Sequence, residues 1–108
     1  MIRVLYHHRT TGIVAELPPE KLEAALQDKL LTIWVDMLAP TVEEWTRVYQ
    51  QTFHFHQLAI EDAVAETHLP KLDDFGSFLF LVVHTVRLGD ERMDLHTHEI
   101  DIFLGINF

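Results

Sequence analysis

The chain has 108 residues, of which 48% are hydrophobic, and it contains no cysteine. This length suits a single domain, residues 1–108, with one modest core, and the lack of cysteine excludes disulfides and thiolate metal sites. The net charge of −9, with the eight histidines neutral, disfavours nucleic acids and anionic lipids as partners and favours cations. The longest apolar run, Phe78 to Val83, is far shorter than the ~20 residues of a membrane-spanning helix, so we expect a soluble polypeptide.

The first part of the chain predicts a hairpin, a helix and a buried strand. Apolar residues alternate with others over residues 2–7, and the turn sequence Thr10-Thr11-Gly12 leads into a second strand over residues 13–17. Leu22 and Ala25 recur at helical spacing within residues 20–30, which predicts an amphipathic helix. Residues 31–37 are rich in β-forming side chains and predict a buried strand.

The middle of the chain predicts two helices. Thr41 followed by Glu44 is a capping-box pair, which begins a helix whose apolar face carries Val48. A second helical stretch over residues 56–66 turns Ala59 and its apolar neighbours inward, and Pro70 closes it.

The last part predicts two strands. Residues 78–86 are apolar on both faces, which is typical of a central strand covered on two sides. After a turn at residues 89–91, apolar residues alternate again over residues 99–105, which predicts an antiparallel partner. The fold class is therefore α/β (α+β), with a mixed parallel/antiparallel sheet flanked by helices. We expect six aromatic residues in the core: Trp34, Trp45, Phe53, Phe75, Phe78 and Phe80.

Two histidine pairs are candidates for a metal site. The pairs His54-x-His56 and His96-x-His98 have a spacing that places two imidazoles on one side of a strand, as in some zinc or nickel sites. Neither pair has a third ligand at a defined spacing, and we expect His96 in a loop, so surface or core histidines are the better interpretation. A metal-dependent hydrolase that uses these histidines and Asp36 stays an alternative. Because motifs for phosphate loops or activated serines are missing, we expect no enzyme.

Four segments, in a fixed order, resemble the N-terminal domain of the CorA family of divalent-cation transporters. The resemblance covers residues 31–108, and the family typically has Gly where this chain has His54 and Pro where it has Gln57. The segments are Ile33-Trp34-Val35-Asp36 with Pro40-Thr41 and Glu43-Glu44, His56 with Leu58-Ala59-Ile60-Glu61-Asp62-Ala63, Pro70-Lys71-Leu72 with Phe78-Leu79-Phe80-Leu81-Val82, and the strand from Glu99 to Phe108.

The resemblance implies a cytoplasmic domain at the inner face of the cell membrane, part of a homopentameric channel. In that family the domain is followed by a stalk helix and by two membrane helices with a Gly-Met-Asn signature, which this sequence does not contain. We therefore expect the chain to be the regulatory N-terminal part of a transporter of Mg²⁺, Co²⁺ or Ni²⁺. A zinc-transporting branch of the family and an ion-independent assembly module stay open as alternatives.

The resemblance also implies a site. The position matching Asp62 faces a neighbouring protomer and shares a weakly bound regulatory cation, Mg²⁺ in the first instance, with Glu61 close by. Carboxylates that meet across an interface repel one another, and a divalent ion between them replaces repulsion with attraction. On the residues alone, two adjacent acids on a helix edge are more simply a solvated surface, and we expect Asp36, Asp73 and Asp74 to cap helices or turns.

Overall fold

The computed structural model describes residues 1–65, 69–90 and 94–108. Its helices and strands run in the order β1 (Ile2–His8), β2 (Val14–Leu17), a 3₁₀ turn (Pro19–Lys21), α1 (Leu22–Gln27), β3 (Leu31–Met37), α2 (Val42–Trp45), a π-helical segment (Thr46–Thr52), α3 (Gln57–Val64), β4 (Lys71–Asp74), β5 (Leu79–Leu88) and β6 (Leu95–Leu104).

The chain divides into two compact units. The first contains residues 1–55 together with Asn107 and Phe108, and the second contains residues 56–106. The expectation of a single domain over residues 1–108 stays a prediction.

The first unit is a three-stranded antiparallel sheet in the order β2-β1-β3, with α1 packed on it. Val4 from β1 and Ile33 from β3 meet Leu22 and Ala25 from α1 in the core. The helix is shorter than predicted, because Asp28 takes an extended conformation and its carboxylate accepts the backbone N–H of Leu30 at 2.9 Å. Such a local bond competes with continuation of the helix.

The predicted capping box is present at the start of α2. The Thr41 hydroxyl accepts the backbone N–H of Glu44 at 3.2 Å, and the Glu44 carboxylate accepts the backbone N–H of Thr41 at 2.9 Å. The helix then widens into the π-helical segment, where Val48 is buried.

The second unit is a three-stranded antiparallel sheet in the order β4-β5-β6. Phe80 and Val82 point to its buried face, and Ala59 and Ile60 are the buried residues of α3. The predicted helix extended to residue 66 and the predicted turn to residue 91, and both of these positions lie outside the described residues.

The α+β class is confirmed, but the sheets differ in two respects from the expectation. All described ladders are antiparallel, in two small sheets rather than one mixed sheet. β5 was expected to be covered on both faces, whereas only the face with Phe80 and Val82 is buried in the described part of the chain.

One predicted core residue is exposed. Trp34 is 68% exposed, while its neighbour Ile33 is buried. Side chains alternate between the faces of a strand, so β3 can direct only Ile33 and its odd-numbered companions towards α1. The prediction for Trp34 was wrong because it weighed residue type over strand period. The other five predicted aromatics are buried or half-buried: Trp45, Phe53, Phe75, Phe78 and Phe80.

Candidate functional site

Helix α3 carries the predicted metal ligands, and its first turn is fixed by a histidine. His56 is the N-cap, and its Nδ1 accepts the backbone N–H of Leu58 at 3.1 Å. A side-chain acceptor at this position satisfies one of the N–H groups that a helix leaves open at its start. This cap sets the position of the following turns of α3, on which Glu61 and Asp62 lie.

Glu61 lies on the solvent side of α3. The residue is exposed, and its carboxylate accepts a hydrogen bond from the side-chain amide of Gln57 at 3.3 Å, one helical turn earlier. Residues four apart on a helix are surface neighbours, so this contact stays within the helix. Glu61 is therefore open to any cation that approaches from solvent.

Asp62 points towards strand β4. Its Oδ2 forms an ion pair with the ammonium of Lys71, the first residue of β4, and both side chains are 31% exposed. The same ammonium lies 2.8 Å from Oδ2 of Asp73. Lys71 and Asp73 are two apart on one strand and so share a face, which is why one ammonium can reach carboxylates from both the strand and the helix.

This arrangement stabilises the charged form of the Lys71 side chain. The hydrogen bond to Asp62, followed by that to Asp73, raises the pKa of Lys71 above its ordinary value. The ammonium also lies 5.5 Å from the centre of the Phe80 ring, a position that favours a cation. Lys71 is thus a permanent positive charge beside the predicted metal ligand.

Glu61 and Asp62 are adjacent in sequence but their carboxylates have different partners. Consecutive residues on a helix diverge by about 100°. In the described ranges, no three histidine or acidic side chains are close enough to hold a metal ion together. A divalent ion at Asp62 would therefore need water molecules or groups from another chain to complete its coordination.

Two residues at this site were missed by the sequence analysis, which noted Lys71 only as part of a motif and assigned Asp73 a capping role. In the structure Lys71 and Asp73 lie on one face of β4, but one apolar residue among three charged ones gave no sequence signal of a strand. Asp74 does have the expected turn role, since its Oδ1 accepts the backbone N–H of Gly76 at 2.8 Å.

Comparison with known proteins decides the family. The family described as "CorA-like Mg2+ transporter protein" matches residues 31–108, a region that begins at β3 and contains α3 and β4 to β6. The chain belongs to this CorA-like family. It is also 35% identical over 96 residues to a Bacillus subtilis (strain 168) protein named "Putative metal ion transporter YfjQ". That alignment covers 89% of this chain and 28% of the relative, so the chain spans less than a third of the relative's length.

The CorA-like chain shows no helix, within residues 1–65, 69–90 and 94–108, that is long and apolar enough to cross a membrane. Members of the family are transporters, and the match includes the whole of the Gln57–Val64 helix with both predicted ligands. The match gives the family of the chain, while the binding of an ion at Asp62 and Glu61 stays a prediction.

One histidine of each pair, His56 and His96, makes a local side-chain contact in this CorA-like chain. Because Nδ1 of His56 accepts an N–H, the neutral ring carries its proton on Nε2 and offers no further lone pair to a metal. His54 precedes the helix with a left-handed backbone. Both positions lie between helical segments rather than on a strand, which removes the geometry that suggested a site.

His96 lies in strand β6, not in a loop as we expected. Its Nε2 is 3.0 Å from Oδ2 of Asp94, and it stands opposite Arg87 in the sheet. On the neighbouring strand β5, Nε2 of His84 lies 3.6 Å from Oε2 of Glu99, and the His84 side chain is 28% exposed. A guanidinium opposite His96 disfavours a cation at that end of the hairpin.

Proposed function

We propose that this chain is the cytoplasmic, cation-sensing part of a CorA-like transporter, with Asp62 as the principal ligand of a weak regulatory Mg²⁺ site and Glu61 beside it. The observation that carries the proposal is the family match across residues 31–108, which includes both acids. The family name specifies Mg²⁺, and we extend the proposal to Co²⁺ and Ni²⁺ as transported ions. In this proposal the chain acts without catalysis and without nucleic acid.

The mechanism rests on the charge of an exposed helix edge. Glu61 is exposed and the Asp62 side chain is 31% exposed, so a neighbouring subunit can approach both. Two such acidic edges, in a chain with a net charge of −9, repel each other at low cation concentration. A divalent ion between protomers of a homopentamer would reverse that repulsion and favour the closed assembly.

Weak binding suits this role. Mg²⁺ keeps most of its water shell and is usually held by one or two carboxylates, so occupancy would follow the ion concentration at the cytoplasmic face of the membrane. Loss of the ion would then shift the population of protomer arrangements, to the extent that the ion binds the closed arrangement better.

The test measures assembly against Mg²⁺. In a longer protein that joins this chain to the remaining CorA-like sequence, we expect sedimentation to show a compact oligomer at millimolar Mg²⁺ and a looser one after chelation. Asp62→Ala should remove the difference. Asp36→Ala is the matched control, because Asp36 is an exposed aspartate on β3, in the first unit, whereas Asp62 belongs to the second, and its loss lowers the negative charge equally.

Three outcomes would contradict the proposal in different ways. A Mg²⁺ effect that survives Asp62→Ala would refute the site. Sedimentation that is the same with and without Mg²⁺ would favour an ion-independent assembly module. Tight Zn²⁺ binding by the 108-residue chain, abolished by substitution of His54 or His56, would favour a metal-dependent hydrolase.

A further inference from the structure

The Lys71 ammonium lies against Oδ2 of Asp62, one of the two carboxylate oxygens that a bound cation could use. It is ion-paired with Oδ2 of Asp62 and lies 2.8 Å from Oδ2 of Asp73. Carboxylate oxygens are the ligands that Mg²⁺ prefers, and here two of them already share a monovalent cation that belongs to the chain. An incoming ion must therefore share Asp62 with Lys71 or displace it.

The backbone holds Lys71 at this place. Lys71 pairs with Val82 across the β4–β5 ladder, and Asp73 pairs with Phe80 on the same ladder. Val82 and Phe80 are fully buried, so this part of the sheet is fixed by the core of its unit. A paired strand, rather than a loop, thus positions Lys71 beside Asp62. The competing charge is therefore present in every copy of the molecule.

We propose that Lys71 is a tethered competitor that sets the divalent-cation affinity of Asp62 and keeps it weak. The inference rests on the proposed function, because it assumes that Asp62 binds the ion. Two effects act in the same direction. The ammonium repels a doubly charged ion at close range, and its ion pairs must be weakened before Asp62 can turn fully towards the ion.

The consequence for the transporter is a shift in the range of ion concentration that it senses. Removal of the ammonium would take away the positive charge that Asp62 and Asp73 now share. Such a pair binds divalent ions more tightly, so occupancy would saturate at lower concentration. Lys71 would therefore set the affinity of the regulatory site without contact to the ion.

The experiment titrates the 108-residue chain with Mn²⁺, read by water-proton relaxation, and displaces the Mn²⁺ with Mg²⁺. We expect Lys71→Met to lower the apparent Kd of both ions roughly tenfold, since one unit charge is removed next to a doubly charged ion. Lys71→Gln, which keeps a polar end, should show the same tightening, and Lys71→Arg, which keeps the charge, should bind as the parent does.

Lys29→Met is the matched control for overall charge. Lys29 is an exposed lysine of the first unit, between α1 and β3, so its loss changes the net charge equally without altering the unit that carries Asp62. An unchanged or higher Kd in both Lys71→Met and Lys71→Gln would overturn the inference, as would an equal tightening by Lys29→Met.

Asp62→Asn, made in the parent and in the Lys71→Met background, separates this inference from the proposed function. If Asp62→Asn abolishes ion binding in the parent but Lys71→Met does not tighten it, Asp62 remains the ligand and the proposed role of Lys71 is refuted. If Asp62→Asn leaves the Kd unchanged in both backgrounds, the metal site at Asp62 is refuted, and the role of Lys71 with it.

Discussion

His54 has a φ of 54°, in the left-handed region that few non-glycine residues adopt. The position follows the π-helical segment and comes two residues before the cap of α3, where the chain must turn between helical segments. Glycine, which the CorA family typically has at this position, takes this conformation without a steric penalty. This chain therefore carries local strain next to the helix that presents Asp62.

His54→Gly should stabilise the protein by about 0.5 to 1 kcal/mol, because relief of the left-handed strain exceeds the entropy cost of glycine. Chemical unfolding at neutral pH measures the change. His7→Gly is the control, since His7 is an exposed histidine at an ordinary position in β1, where glycine should destabilise by a similar amount. Destabilisation by both substitutions would show that His54 bears no net strain.

At the residue scale, the sequence predicted features whose partners are close in the chain. The Thr41 and Glu44 pair is recognisable because both hydrogen bonds span three residues. The ion pair of Asp62 with Lys71 spans nine residues and depends on a strand that the sequence did not signal. His56 was named from the sequence only as part of a family segment and of a histidine pair, and its capping bond to Leu58 became evident only from the structure.

At the element scale, the capping box fixes the start of α2 through an ionised carboxylate. The backbone N–H of Thr41, and after it the N-terminal ammonium of Met1, lowers the pKa of the Glu44 carboxyl below its ordinary value. The ammonium nitrogen lies 3.2 Å from Oε2 of Glu44. A carboxyl with a lowered pKa in the folded state stabilises the fold above its ordinary pKa and loses this contribution as the pH falls through the lowered value.

Glu44→Gln should therefore lower the free energy of unfolding at neutral pH, with a difference from the parent that disappears in acid. Glutamine keeps the acceptor of the capping box, so the change isolates the charge. We expect the full difference at neutral pH and its progressive loss once the pH falls below the ordinary pKa of a glutamate carboxyl, measured by thermal unfolding from neutral to acid pH.

Glu43→Gln is the matched control for Glu44→Gln. It removes a charge from the same first turn of α2, but Glu44 is the residue whose carboxylate accepts the Thr41 N–H. The two variants should differ in the pH dependence of their unfolding. Identical pH profiles would show that the general field of the helix end, and not the capping contact, accounts for the effect.

The elements that the sequence missed are short or mixed in character. Strand β4 has one apolar residue, Leu72, among three charged ones, as is common in edge strands, and no periodicity could separate it from a loop. The π-helical segment differs from an α-helix only in the register of its hydrogen bonds, which the pattern of side chains does not encode. The local pattern of side chains is therefore not sufficient to predict either element.

At the scale of the whole molecule, the second unit has two contrasting sheet faces. One is buried around Phe80 and Val82. The pairing of β4, β5 and β6 places an aliphatic set on the other face, where four side chains are 38 to 61% exposed. We call this set the aliphatic face, and its members are Leu72, Leu79, Leu81, Val83, Ile100, Ile102 and Leu104.

The aliphatic face explains why sequence patterning predicted a strand covered on two sides. β5 is apolar at every position from Leu79 to Val83, as in a sheet that is covered on both faces. The pattern correctly predicted that both faces of β5 are apolar, but it carries no information on what covers the aliphatic face. Within the described residues that face is open to solvent, and contiguous apolar surface of this kind promotes association.

We therefore expect the 108-residue chain to self-associate weakly through the aliphatic face, independently of Mg²⁺. Sedimentation velocity should show a coefficient that rises with protein concentration and persists at high salt, because apolar contacts are not screened. The double change Ile100→Thr and Ile102→Thr should abolish this concentration dependence at little cost in stability, since both side chains are already more than a third exposed.

Val82→Thr, on the buried face of the same sheet, is the control. It should lower the free energy of unfolding by about 1 to 3 kcal/mol and leave association intact. If the parent chain stays monomeric at every concentration, the aliphatic face does not mediate self-association.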